Sequence, residues 1–291
     1  MTQARPIAKV IDSIRTLEGA GFAVRRPFPT ASLDHLDPFL LLDEMGPMEL
    51  GPGEAEGAPD HPHRGFETVT YLLSGEFVHA DSQGNSGHLK AGDVQWMTAG
   101  DGVVHSEMPA QELRDKGGRL HGFQLWVNLP KSDKRMRPRY QDVPAARIPV
   151  ATSSDGKTTV RVIAGEALGH KAVIDTRTPI FYLHFSLQPG ARHMQAAPAS
   201  HNVFAYVLKG RVQAGGRTLE DGQMGIFGAG DAIELASDAA AEVLLIGGVP
   251  HNEPVARYGP FVMTSKEELI EAFADFRSGK MGSIPAEIAR Q

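Results

Sequence analysis

One short pattern occurs twice in this chain, about 135 residues apart: Tyr71-Leu-Leu-Ser-Gly75 is answered by Tyr206-Val-Leu-Lys-Gly210. A second pair follows each copy. Ala91-Gly-Asp-Val-Gln-Trp-Met-Thr-Ala-Gly100-Asp101 resembles Asp221-Gly-Gln-Met-Gly-Ile-Phe-Gly-Ala-Gly230-Asp231. Both halves read as a strand, a Gly turn, a hairpin, and a Gly-Asp or Asp-Gly turn into another strand. Two copies of one small β-barrel fit this pattern, and composition agrees. Gly and Pro number 32 and 20 of 291 residues, about 18% against the roughly 12% of average usage. Both residues destabilise helix interiors and suit short strands with tight turns.

Further strand-like runs lie between turn signals: Gln124-Leu-Trp-Val-Asn128, Thr159-Val-Arg-Val-Ile-Ala164, Phe181-Tyr-Leu-His-Phe-Ser186 and Val243-Leu-Leu-Ile246. The sequence predicts one long helix, from Lys266 to Ser278. Ser265 with Glu268 forms a capping box, and Gly279 takes the position after the end. Leu269, Ile270, Phe273 and Phe276 are expected on the face that packs against a sheet. Residues 131–147 interrupt the strand pattern, with five basic residues and one acidic between 131 and 139. They read as a solvated connector, with a partner-binding patch as the alternative. The Gly/Pro-rich residues 44–60 read as a surface loop, or as a lid over a site.

Cysteine is absent and histidine numbers 12. Disulfides, thiolate nucleophiles and Cys-type metal sites are thereby excluded, so a protein-held metal must use imidazole and carboxylate. A net charge of −6 argues against direct nucleic-acid binding. The N-terminal segment lacks the apolar core of a signal peptide, and no stretch reaches membrane-span length. A soluble, cytoplasmic protein without membrane association is expected.

The strongest chemical signal is His61-Pro-His63-Arg-Gly-Phe-Glu67, followed by His105-Ser-Glu107. Residues two apart on a strand share a face, so His61 projects with His63, and His105 with Glu107. Adjoining strands would bring together three imidazoles and a carboxylate. This set suits iron(II), with nickel, copper, manganese and zinc as alternatives, and leaves positions open for water, oxygen or substrate. Val69 and Tyr71 have the parity of His61 and His63, and share the inward face unless a bulge intervenes. Glu67 is ambiguous: it reads as a ligand in place of Glu107, or as a group orienting an imidazole N–H.

These residues resemble the metal motifs of the cupin superfamily, and specifically of the pirin family. The resemblance extends through Asp37-Pro-Phe-Leu-Leu-Leu-Asp43, His61 to Leu73, Gly92 to Gly100, Gly102-Val-Val-His105-Ser-Glu107, Phe123 to Pro130 and Tyr258-Gly-Pro-Phe-Val-Met263. It implies an all-β bicupin: two stacked antiparallel barrels of jelly-roll type, with a C-terminal helix. Residues 1–134 would form the metal-bearing barrel, 135–148 the linker, and 149–291 a degenerate barrel ending in the helix. It implies one divalent metal held by His61, His63, His105 and Glu107, with Fe2+ foremost, and sets Glu67 aside as a ligand.

The repeat places Ala196 and Pro198 where His61 and His63 stand, and Leu235 and Ser237 where His105 and Glu107 stand. His193 and His201 read as out of position, so the second barrel is expected to be metal-free. The resemblance implies a quercetin 2,3-dioxygenase-type reaction on a small aromatic substrate with O2, with Glu107 taking the hydroxyl proton. The alternative is a non-catalytic, redox-sensitive iron protein that acts through a protein partner.

Overall fold

The computed structural model describes residues 2–19 and 21–288. The chain divides into two compact units. The first comprises Arg15–Arg26, Phe39–Ala145 and His251–Gln291; the second comprises Met1–Ile14, Pro27–Pro38 and Ala146–Pro250. The expected contiguous boundaries at 134 and 149 are not the ones the chain adopts. The reason lies in strand pairing. Ile7–Asp12 runs antiparallel to Gln223–Phe227, so the N-terminal strand completes a sheet of the second unit.

Each unit joins a seven-stranded sheet to a four-stranded sheet, the two-sheet form of an all-β jelly roll. In the second unit the alternation is regular. Leu183, Phe185 and Leu187, then Val203, Ala205 and Val207, then Val243 and Leu245 are buried in one cluster. Their period of two puts one face of each strand into the core, each large side chain contributing about 1.5–3 kcal/mol. The repeat is physical as well as textual. Gly92 N–H donates to Leu72 O at 2.7 Å, and Gly222 N–H donates to Val207 O at 2.8 Å. Both glycines have left-handed φ, +89° and +80°, a conformation that disfavours side chains with a Cβ.

In the first unit the four-stranded sheet runs Ala58–His63, Val103–Pro109, Phe77–Asp81, Ser86–Leu89. Two local expectations change here. The basic run is solvated only in part, at Lys131, Arg135 and Arg137. Arg139–Val143 is an edge strand paired with Val94–Thr98, and Lys134 is buried, donating to Gly65 O, Asn128 Oδ1 and Val262 O at 2.8, 2.7 and 3.0 Å. Residues 44–50 are not a loop either. They continue the strand Phe39–Leu50, paired with Gly118–Asn128, which leaves residues 51–57 as the connection to Ala58–His63.

The helix forms at Lys266–Arg277 with the expected capping box. Its buried face is Leu269, Ala272 and Asp275, packed on Phe261 and Met263 with Phe273. Ile270 is 67% exposed, because it lies about 100° around the helix from Leu269. Among the described residues no helix is long and apolar enough to cross a membrane.

Candidate metal centre

The strands Ala58–His63 and Val103–Pro109 are antiparallel neighbours, with His61 directly opposite His105 and Val103 opposite His63. The ligand nitrogens of His61, His63 and His105 all lie within 4.8 Å of one another. Gly65 then turns the chain out of the sheet. Its φ is +88°, and a Cβ there would meet Val262 O at 1.9 Å.

The donor set fits a metal. His61 Nδ1 lies 2.7 Å from Pro59 O, and His63 Nδ1 lies 3.3 Å from Pro260 O. A carbonyl only accepts, so each Nδ1 carries the ring proton and each Nε2 presents a lone pair. Those two Nε2 atoms are 3.0 Å apart, a repulsive arrangement that a shared cation relieves. Both ring nitrogens of His105 are buried without a hydrogen-bond partner. Burial holds His63 well below the ordinary imidazole range, with the His61 charge adding to it against the Pro260 contact. Burial does the same to His105, followed by His61, His63 and His79. Neutral imidazole is the form that ligates metal.

Glu107 lines the same pocket as His61 and His63 but is not a member of the three-imidazole cluster. Its Oε1 accepts from Thr70 Oγ1 at 2.7 Å, and its Oε2 accepts from Gln124 Nε2 at 3.2 Å. Thr70 and Gln124 face each other across adjacent strands. The inward face of Phe66–Ser74 is therefore the even-numbered one, and the expected inward parity of Val69 and Tyr71 does not hold. The turn at Gly65 breaks the run, so His61 and Tyr71 belong to different sheets. Glu67 falls on the face opposite Thr70, where its Oε1 accepts from Thr98 Oγ1 at 2.6 Å.

The pocket has a volume of about 530 Å³. Phe22, Leu41, Met45, Phe77 and Trp126 give it apolar walls, and Arg26, Asp43 and Arg257 a charged margin. Arg257 lies over the Trp126 ring at 5.1 Å. Arg26 pairs with Asp43 at 2.7 Å and also with Glu18. Burial nonetheless pushes the Asp43 carboxyl up to about 6, against the pull of Arg26. Sequence reasoning missed Gln124, Trp126 and Arg257 as pocket residues, and Thr70 as the partner of Glu107. The available signal was Gln124, an uncharged polar residue inside the apolar run Phe123-Gln-Leu-Trp-Val127.

Strand register also revises the second unit. His193 stands opposite Leu235 and Gln195 opposite Ile233, as His61 stands opposite His105 and His63 opposite Val103. The counterparts of His61 and His63 are thus His193 and Gln195, rather than Ala196 and Pro198. The chain takes eight residues from His63 to Tyr71 but eleven from Gln195 to Tyr206, and that longer connection displaced the sequence alignment.

Two jelly-roll units, one of them carrying three converging imidazoles, define a bicupin with a candidate metal centre. The pirin family matches residues 21–127, and the pirin C-terminal cupin domain matches residues 182–282. Human pirin is 43% identical over 97% of this chain and 96% of its own length. A pirin-like protein of Solanum lycopersicum is 43% identical over 97% and 94%. A crystal structure of quercetin 2,3-dioxygenase from Acinetobacter baumannii superposes with a TM-score of 0.91 at 38% identity, covering 97% of this chain and all of the other. The chain belongs to the pirin family.

Proposed function

We propose that this chain is a metal-dependent dioxygenase that opens a flavonol of the quercetin type with O2 at a mononuclear centre of His61, His63, His105 and Glu107. The observation that carries this reading is the three-imidazole cluster, two of whose members, His61 and His63, line a pocket with apolar walls and room for a planar aromatic molecule. The likeness to quercetin 2,3-dioxygenase from Acinetobacter baumannii supports the substrate class. A bound divalent metal, with iron(II) the first choice, supplies Lewis acidity toward the substrate's hydroxyl oxygen and a redox route for O2.

The chain's own residues do the rest. Phe22, Leu41, Met45 and Trp126 exclude water and hold the aromatic rings. Glu107 takes the 3-hydroxyl proton as the oxygen becomes anionic. Thr70 and Gln124 fix its carboxylate from both sides, so the base is aimed before substrate arrives. Arg257, placed over Trp126, gives the pocket margin a positive charge toward the enolate.

The test follows O2 consumption and carbon monoxide release with quercetin and iron-loaded protein. Turnover well above that of free iron is expected, with a loss of at least a hundredfold in Glu107→Ala. Full activity in Glu107→Ala would remove Glu107 as base and ligand. Turnover equal to that of free iron would remove the enzyme reading and leave the metal-binding regulatory one.

A further inference from the structure

The second unit has a cavity of its own at the place that corresponds to the metal centre. His193 and Gln195, the register counterparts of His61 and His63, line it. Its volume is about 810 Å³, larger than the 530 Å³ of the metal pocket. With Leu235 and Ser237 in the other two ligand places, it has no set of donors for a metal. Ser237 Oγ already donates within its own turn region, to Arg211 O or Ala239 O at 2.9 and 2.8 Å.

What remains is suited to a different ligand. His201 stacks on the buried Phe181 at 5.9 Å between centroids and 13° between planes, so that the half-buried His201 ring is the aromatic face of the cavity. Leu168 and Met194, 38% and 50% exposed, give an apolar rim. Leu168 sits at φ +48° in the turn joining Glu166–Ala167 to His170–Lys171, a short hairpin at the mouth. His193 Nε2 is buried without a hydrogen-bond partner, which costs on the order of 1–3 kcal/mol unless something else satisfies it. Burial lowers both His193 and His201, so both rings are neutral at pH 7. Glu166 and Asp175 outnumber Lys171 among the lining charges, which disfavours an anion.

We propose that this mouth is a second, metal-independent site for a neutral, planar aromatic molecule bearing a hydroxyl, its ring on the half-buried face of His201 and its hydroxyl drawn to His193, whose ring turns toward the cavity to meet it. A hydroxyl both donates and accepts, so it satisfies Nε2 in either tautomer. The site neither requires turnover at the metal centre nor contributes to it.

The probe is 2-naphthol, titrated by its fluorescence against the full chain, with and without iron, and against variants. Besides any binding in the pocket beside His61 and His63, a saturable site is expected that is unchanged within twofold by His105→Ala. His193→Leu should weaken it about tenfold while leaving the melting temperature equal or higher, since the unpaired nitrogen is gone. Ala196→Trp, at an exposed position of the lining, should block it outright without touching the core. Three results overturn the proposal: no saturable binding up to millimolar probe, binding lost in His105→Ala, or binding unaffected by both His193→Leu and Ala196→Trp.

Discussion

The two units share a skeleton and differ in what they put inside it. Each sets a seven-stranded sheet with a four-stranded one, and each uses the same glycine turn with the same backbone hydrogen bond. At four matched register positions the first has His61, His63, His105 and Glu107, and the second has His193, Gln195, Leu235 and Ser237. The first interior is costly, because three imidazoles are buried or half-buried with few partners. The second is filled mostly by aliphatic and aromatic side chains that need none, with the buried His193 Nε2 left unpaired beside them. Turns and strand alternation specify the fold, while a handful of side chains at fixed positions decide whether it holds a metal.

The largest expected effect breaks the first side of that comparison. His105→Ala removes the most deeply buried imidazole of the cluster, and metal content should fall from about one ion per chain to almost none, read by elemental analysis. A variant that still carries a full equivalent would show that the metal lies elsewhere. The converse experiment rebuilds the second unit with Gln195→His, Leu235→His and Ser237→Glu beside the native His193. A second equivalent of nickel or cobalt should then bind, more weakly than the first, because Leu235 is buried in the core and its replacement is destabilising. A rebuilt chain with one equivalent and an intact fold would mean that register alone does not make the site.

Much of this was legible in the sequence, for physical reasons that can be named. Period-two alternation and turn glycines act locally, so the repeat, the strands and the His-x-His and His-x-Glu pairs could be read along the chain. Partnership between distant strands could not. The three extra residues before Tyr206 hid the equivalence of His193 with His61, and the turn at Gly65 reversed the inward parity, exchanging Tyr71 for Thr70. Lys134 was read as solvated because a charged run normally is. Its burial depends on three oxygen acceptors, two of them backbone carbonyls contributed by Gly65 and Val262.

That lysine gives a smaller, pH-resolved effect on the unit that carries the imidazole cluster. Burial pushes Lys134 down to about 8 from its ordinary 10.5, against Glu253 and Glu268. Between those values the unfolded chain binds more protons than the folded one, so stability rises with pH across the window. The advantage of the native chain over Lys134→Met should therefore widen between pH 8 and 10.5, by up to about 3 kcal/mol. A constant gap in chemical denaturation would mean that its three acceptors hold the ammonium at its ordinary value.

The smallest effect tests which unit the C-terminal helix serves. Leu269 and Ala272 pack on Phe261 and Met263, beside Val104, whose neighbour in sequence is His105. Ile270 faces outward, 67% exposed. Ile270→Gln should therefore change stability by no more than about 0.5 kcal/mol and leave metal retention as it was. Leu269→Ala on the same helix should cost about 2–5 kcal/mol and speed metal loss to a chelator, because it loosens the cluster that backs the His105 strand. Equal effects from the two substitutions would contradict the observed helix face. A large loss of stability in Leu269→Ala with unchanged metal retention would separate the helix from the metal centre and leave it a purely structural element.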